Sequence, residues 1–331
     1  MIGAARQGVE VSITGLGTCV PDRVVTNDEL AAYVDTSDEW IVARTGIRER
    51  RMAAAEQALS DLALPAAVAA LEDASVDAGD VDLLIVATVT PDMAFPSTAA
   101  LLADALGARE AGAYDLSAGC TGFMYGIAQA YGMLVAGLAK RALVVGGDLL
   151  SRILDWHDRS TLVLFGDGAG AVVMEPVPER GFLGFELGAD GGGGGNLWLP
   201  GSGSRTFDKN EKYVIMNGRE VFKFATRVLV QSAEELMEQC GITVDDVDVY
   251  VPHQANVRII DHATKKLGVP SDRVVVNVDR YGNTSSGSIP LALADARADG
   301  RLRPGRLVLM TGMGAGLTWG SALIRWTKET A

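Results

Sequence analysis

The sequence predicts an α/β fold made of two similar halves, and three observations carry that prediction. β-rich apolar runs alternate with helical runs along the chain, the pattern of sheets covered by helices. Asp80-Val81-Asp82-Leu83-Leu84-Ile85-Val86 is echoed by Asp246-Val247-Asp248-Val249-Tyr250-Val251 at an offset of 166 residues, and Arg141 to Gly147 is echoed by Arg306 to Gly312 at an offset of 165. In each half a glycine-rich turn then enters a last strand, through Gly166-Asp167-Gly168-Ala169-Gly170 and through Gly314-Ala315-Gly316.

Val11 to Val20 reads as the first strand. Ala66 to Ala74, with Val68 and Leu71, reads as an amphipathic helix ahead of the buried strand in Leu83 to Val89. Val228 to Gln239, with Leu229, Leu236 and Met237, occupies the same place in the second half. A short strand-like run leads to Asp115, a turn carries Cys120, and the composition of Met124 to Leu138 favours helix despite its glycines. Glu175 to Gly181 is the connection between halves, because Pro176 and Pro178 oppose both helix and central strand. This gives an N-terminal half at 1–177 and a C-terminal half at 178–331. Gly191 to Gly195 reads as a mobile loop or flexible connector, and Val274 to Val278 as a strand before the polar loop Asp279 to Ser288.

With 331 residues, 48% hydrophobic and 21% charged, the chain supports one large core or two moderate ones. Its apolar runs fall well short of the roughly 20 residues of a membrane helix, and the N-terminus lacks the pattern of an export signal, so a cytoplasmic protein away from membranes is expected. Three cysteines without paired spacing suggest neither a disulfide framework nor a zinc site, and no His, Cys and carboxylate cluster fits a metal. A net charge of −13 argues against nucleic-acid binding, and any acidic partner would need a local basic patch.

Cys120 lies in Asp115-Leu116-Ser117-Ala118-Gly119-Cys120-Thr121-Gly122, a strand-turn-helix setting that favours thiolate over thiol and thus a nucleophile. His253 follows the strand Val249 to Val251 in Pro252-His253-Gln254-Ala255-Asn256, and Asn283 stands in the polar loop Tyr281-Gly282-Asn283-Thr284-Ser285. Strand ends are where α/β enzymes keep their chemistry. Cys19, inside a strand, and Cys240, at a helix end, read as structural, and His157 and His262 as surface residues.

With these segments in place, the chain resembles the β-ketoacyl-acyl carrier protein synthase III family of thiolase-like condensing enzymes from end to end. The resemblance rests on Thr36-Ser37-Asp38-Glu39-Trp40-Ile41, Arg44-Thr45-Gly46-Ile47, the Cys120 turn, Phe165 to Gly170, Gly218 to Phe224, His253 to Asn256 and Tyr281 to Thr284. It implies a five-layered αβαβα fold from two duplicated halves, usually a homodimer, that takes acyl-CoA and malonyl-acyl carrier protein and needs no cofactor. It also implies Cys120, His253 and Asn283 as catalytic residues, with the backbone of Cys120 and Ala315 as oxyanion hole. Thr36, Trp40, Arg44, Arg159 and Asn256 are expected at coenzyme A, and Phe95 at the end of an acyl pocket across the dimer interface. Lys223, Arg258, Lys265 and Lys266 gather positive charge for an acidic carrier. Ser117 to Gly122 departs from the commoner Ala-Ala-Cys-Ala-Gly pattern, which bears on primer preference.

Rivals are a starter-unit or secondary-metabolite condensing enzyme or acyltransferase of the same superfamily, and a non-catalytic binding protein on this scaffold. The pair His253 and Asn283 favours decarboxylative condensation. Neither glycine-rich segment matches the GxGxxG of a dinucleotide-binding dehydrogenase.

Overall fold

Strands that are apolar on both faces need a helical layer on each side, and the computed structural model supplies two such sheets. It describes residues 8–179, 181–201, 203–205 and 212–328; residues 1–7 of the N-terminal stretch and Arg180 of the connecting segment lie outside the described residues. Strands β1 (Glu10–Cys19), β2 (Leu83–Ala87), β3 (Gly112–Leu116), β4 (Ala142–Leu149) and β5 (Asp167–Val177) form a sheet in the order β1-β5-β4-β2-β3. Strands β6 (Phe182–Ala189), β7 (Val249–Pro252), β8 (Leu307–Gly314) and β9 (Thr318–Arg325) form a second in the order β7-β8-β9-β6. The sheets share one plan: β2 runs parallel to β4 as β7 does to β8, and the next strand of each, β5 or β9, returns antiparallel. β2 and β7 begin 166 residues apart, at Leu83 and Val249, so the sequence repeat is a repeat of position in the fold.

Helices α1 (Leu59–Ala74) and α2 (Thr98–Leu106) cover the outer face of the first sheet. Helix α3 (Gly122–Val135) lies with α6 (Ser288–Ala298) between the sheets, and α4 (Gly218–Cys240) and α5 (Val257–Leu267) cover the second sheet's outer face. The layers are therefore αβαβα. Alternation along β4 shows how the cores are divided: Leu143 and Val145 point to α1, whereas Val144 points to the central helices.

Two segments differ from the sequence reading. Val274 to Val278 is not a strand. Val274 makes a single bridge to Tyr250, and a short helix starts at Val278. The Gln254 side chain takes over the ladder's work there, donating to Val275 O at 3.0 Å and accepting from Asn277 N–H at 2.9 Å. Gly191 to Gly195 is not a loose connector but part of a 3₁₀ helix (Gly191–Asn196) whose first turn is capped by Asp190. Its glycines permit close approach to β8–β9, since a β-carbon at Gly193 would sit 2.4 Å from the Leu317 side chain.

Helix α1 is alanine-rich because it lies almost on the backbone of β1. Ala66, Ala67 and Ala70 are wholly buried, and β-carbons at Gly15 and Gly17 would stand 2.1 Å from Ala70 O and 2.3 Å from Ala66 O. Neither carbonyl can retreat without moving the helix. Replacing Gly17 by Val is therefore expected to destabilise the protein by about 3 kcal/mol, measured as a fall in denaturation midpoint. An unchanged midpoint would show that the helix–sheet gap is adjustable.

Candidate active site

The chain leaves β3 at Leu116 and reaches α3 through one 3₁₀ turn, Gly119–Thr121, so Cys120 stands just ahead of a helix N-terminus. Gly119 has φ of +58°, and a β-carbon on it would lie 2.7 Å from both N and O of Ala315. Facing it, a β-carbon on Gly314 would lie 2.4 Å from Cys120 N. The two glycine-rich turns, one from each half, are thus pressed together at Cys120. Thr318 binds the pair, its hydroxyl lying 2.8 Å from Ala118 O and 3.0 Å from Ala315 O.

The internal repeat recurs here. Gly119 and Cys120 correspond, 166 residues on, to Ser285 and Ser286, and Ser285 also has a positive φ, of 53°. The corner is duplicated, but the chemistry is not. Ser286 hydrogen-bonds Ala87 O at 2.7 Å and the wholly buried Asp148 carboxylate at 3.1 Å. Asp148 in turn accepts from Thr88, from the Val89 and Thr90 amides, and from the Thr90 hydroxyl.

Burial pushes the Cys120 thiol up to about 11, and the Asp148 charge adds to the rise, while Ser285 and the cysteine's own backbone offset part of it. This corrects the expectation of a resting thiolate. The helix end favours the anion by only about 0.3–2 kcal/mol, less than removal from water costs it here.

His253 caps β7, its N–H donating to Thr311 O at 2.8 Å, and its ring is 1% exposed. Burial pulls the imidazole down to about 4, so it is neutral at physiological pH. Nδ1 lies 2.5 Å from the Ser288 hydroxyl, and Nε2 has no hydrogen-bond partner among the described residues. Asn283 is held through its backbone, donating to Leu164 O at 2.9 Å and accepting from Gly166 N–H at 3.0 Å. Its Oδ1 accepts from Ser285 N–H at 2.8 Å, which leaves the amide's N–H groups for a ligand.

Cys120, His253 and Asn283 line one cavity of about 190 Å³, together with Phe222, Asn256 and Ile259. Cys120 also lines a second cavity of about 250 Å³ walled largely by Val89, Leu150, Ile153, Leu154, Trp198 and Val214. Ala315 belongs to this second wall. Phe95 is on neither wall; it projects at the surface, 85% exposed.

Outside the mouth, Ser37 caps the helix Asp38–Thr45 by accepting from the Trp40 backbone N–H, which fixes the first turn that carries the indole. The Arg44 and Arg159 guanidinium carbons lie 4.4 and 4.8 Å from its ring centre. Asn256 donates to Arg44 O at 3.1 Å, and Arg159 donates to Asp35 O at 2.8 Å, beside Thr36, whose buried hydroxyl has no partner. These five residues form one group. Lys223 is ion-paired with Glu220, whereas Arg258, stacked on Phe222, Lys265 and Lys266 are exposed without an acidic partner among the described residues. Arg219 and Arg227, at i−4 and i+4 from Lys223, extend the basic stripe along α4. That spacing is visible in the sequence and was missed. Ser288, Gln254 and Asp148 were missed too, with only the polarity of their segments as a signal.

Two duplicated halves closing on a buried cysteine, with histidine and asparagine in the adjoining cavity, define a thiolase-like condensing enzyme. The models of 3-oxoacyl-[acyl-carrier-protein] synthase III and of its C-terminal region match residues 114–191 and 237–326. The β-ketoacyl-[acyl-carrier-protein] synthase III of Symbiobacterium thermophilum is 54% identical, over 96% of this chain and 98% of its own. The crystal structure of the synthase III from Thermus thermophilus matches with a TM-score of 0.91 at 51% identity, covering 97% of this chain and all of that one. A priming β-ketosynthase of the R1128 polyketide pathway matches with a TM-score of 0.91 at 36% identity, covering all of this chain and 99% of its own. The chain belongs to the β-ketoacyl-[acyl-carrier-protein] synthase III family.

A thiol held above its ordinary value reacts slowly at neutral pH. Iodoacetamide labelling of Cys120, followed by peptide mass, is expected to accelerate through pH 9–10 without levelling off. A plateau reached below pH 8 would mean that the helix terminus outweighs burial.

Proposed function

We propose that the enzyme joins an acyl group delivered by coenzyme A to malonyl carried on acyl carrier protein, through an acyl-Cys120 intermediate, as the first condensation of fatty-acid synthesis. The observation that carries this reading is the position of Cys120 where two cavities meet, one walled by aliphatic and aromatic side chains away from His253 and Asn283 and the other holding both of them. A ping-pong condensing enzyme needs that division: one space for the acyl chain, the other for each thioester carrier in turn.

In the first half-reaction the Cys120 sulfur attacks the acyl-CoA carbonyl. The N–H groups of Cys120 and Ala315 stabilise the oxyanion, and the departing coenzyme A sulfur takes up the thiol proton. The exchange of one thioester for another needs no net base, which suits a thiol that rests protonated. In the second half-reaction His253 and Asn283 donate to the malonyl thioester oxygen. The carbon–carboxylate bond breaks, carbon dioxide leaves, and its electron pair forms the enolate. The enolate carbon attacks acyl-Cys120, the carbon–sulfur bond breaks, and a proton from solvent restores the thiol. Decarboxylation supplies the carbanion and the thioester supplies the activated acyl group, so the chemistry calls for no resident cofactor.

The adenine ring of coenzyme A inserts at Trp40 and Arg159, with Thr36, Arg44 and Asn256 at its polar groups. The exposed cations Arg219, Arg227, Arg258, Lys265 and Lys266, with Lys223, receive the acidic carrier on a protein whose net charge is −13. The acyl cavity shares Val89, Ser117, Ile153 and Leu199 with an open depression of about 650 Å³. A second copy of the chain fills that depression, and its exposed Phe95 closes the pocket. This makes the working form a homodimer, in the cytoplasm where both carriers reside. The likeness to a polyketide priming synthase favours, as second reading, the same chemistry with a specialised starter unit. Intact-mass analysis after incubation with a panel of acyl-CoAs separates the two by which acyl group stays on Cys120.

Asn283→Ala is expected to lower malonyl decarboxylation by about 100-fold while Cys120 acylation by acyl-CoA persists. Equal loss of both steps would contradict the division of labour. Arg258→Glu is expected to raise the Michaelis constant for the malonyl carrier about tenfold, with acylation by acyl-CoA unaffected. An unchanged constant would remove Arg258 from the docking surface.

A further inference from the structure

We infer that Ser288 is a positioning residue whose hydroxyl, by donating to Nδ1 of His253, fixes the imidazole as the tautomer that presents Nε2–H to the substrate cavity. The inference rests on the condensing-enzyme reading only for its consequence in the reaction. The hydrogen-bond argument stands on geometry alone.

Ser288 opens helix α6 and is 2% exposed. Its oxygen lies 2.5 Å from His253 Nδ1 and 3.5 Å from the Gln254 backbone nitrogen, which donates to it. Among the described residues no other acceptor stands within reach of the Ser288 hydroxyl. A buried hydroxyl that accepts from an amide and has a single acceptor must direct its hydrogen there, since leaving it unmatched would cost about 1–3 kcal/mol. Nδ1 therefore accepts, and the ring proton sits on Nε2. The reverse arrangement, with Nδ1–H donating to Ser288, would strand the hydroxyl hydrogen in the core. It would also aim a lone pair at the cavity.

Nε2 has no hydrogen-bond partner among the described residues, and His253 lines the cavity beside Asn283. The two residues are then treated alike by their surroundings. The Ser285 amide occupies Oδ1 of Asn283, and the Ser288 hydroxyl occupies Nδ1 of His253. Each keeps its acceptor side turned to the protein and its N–H turned to the ligand. Burial that holds the imidazole neutral makes the choice of tautomer decisive, because a neutral ring has one N–H to give.

The chain contains three histidines, so nitrogen NMR of the intact protein with ¹⁵N-labelled histidine can resolve His253, assigned by its disappearance in His253→Asn. The expected wild-type signature is a protonated Nε2 with a hydrogen-bonded, unprotonated Nδ1. Ser288→Ala is expected to lose that fixed pattern and to slow malonyl decarboxylation about tenfold, with Cys120 acylation by acyl-CoA retained and Ser288→Thr restoring part of the rate. A wild-type Nδ1–H form, or averaged nitrogen shifts, would overturn the inference whatever the activity. So would a Ser288→Ala protein with unaltered nitrogen shifts, or one that loses both half-reactions equally. Failure of the wild-type protein to decarboxylate malonyl carrier would instead count against the condensing-enzyme reading and leave the tautomer result standing.

Discussion

The contact on which the rest of the molecule depends is backbone against backbone: the turn carrying Cys120 from the first half pressed on the turn Gly314–Gly316 from the second. Neither turn tolerates a β-carbon at its point of approach, and Thr318 sews them together. Because each turn continues from a wholly buried strand end or into a central helix, the spacing of the two sheets sets the geometry at the sulfur. The αβαβα stack is in this sense a frame that brings two short backbone segments into register. The amides that can serve an oxyanion come from those segments and not from mobile side chains.

Duplication accounts for the frame, and divergence accounts for the site. Both halves retain the positive-φ corner and the central helix, but only the first keeps a strand ahead of the corner, and it puts a thiol after it where the second has a serine that locks onto Asp148. The halves also differ between their last two strands. Residues 315–317 make a tight turn in the second half, whereas residues 150–166 in the first carry Leu150, Ile153, Leu154 and Phe165 to the apolar cavity and Arg159 to Trp40. The longer of two equivalent connections thus supplies both much of the apolar cavity's wall and half of the aromatic–cation group outside.

Much of this was legible in the sequence, because strand and helix periods and a 166-residue echo are properties of local pattern. The two similar α/β halves followed from them, whereas the layer order came with the family resemblance, which also pointed to residues that the structure gathers around Cys120 and Trp40. What could not be read was anything set by depth or by a distant partner. Val274 to Val278 has the β-branched composition of a strand, but apart from the Val275 N–H bond to Tyr250 O its backbone is held by the Gln254 side chain, 21 residues before Val275 and 23 before Asn277. The helix N-terminus at Cys120 was visible, while the burial that outweighs it was not. Five consecutive glycines suggested slack, yet they form an ordered 3₁₀ helix in which Leu317 leaves no room for a side chain at Gly193. Ser288 gave no signal beyond the polarity of its segment, since its role depends on a 2.5 Å contact across 35 residues.

The height at which burial holds the Cys120 proton has a consequence for the life of the enzyme between turnovers. Peroxides and other cellular oxidants attack thiolates far faster than thiols, and a cysteine that ionises early would be steadily lost to sulfenic and sulfinic acids. A thiol that burial keeps protonated is passivated against them. The buried pocket thereby keeps a sulfur chemically durable without a disulfide partner or a repair system of its own.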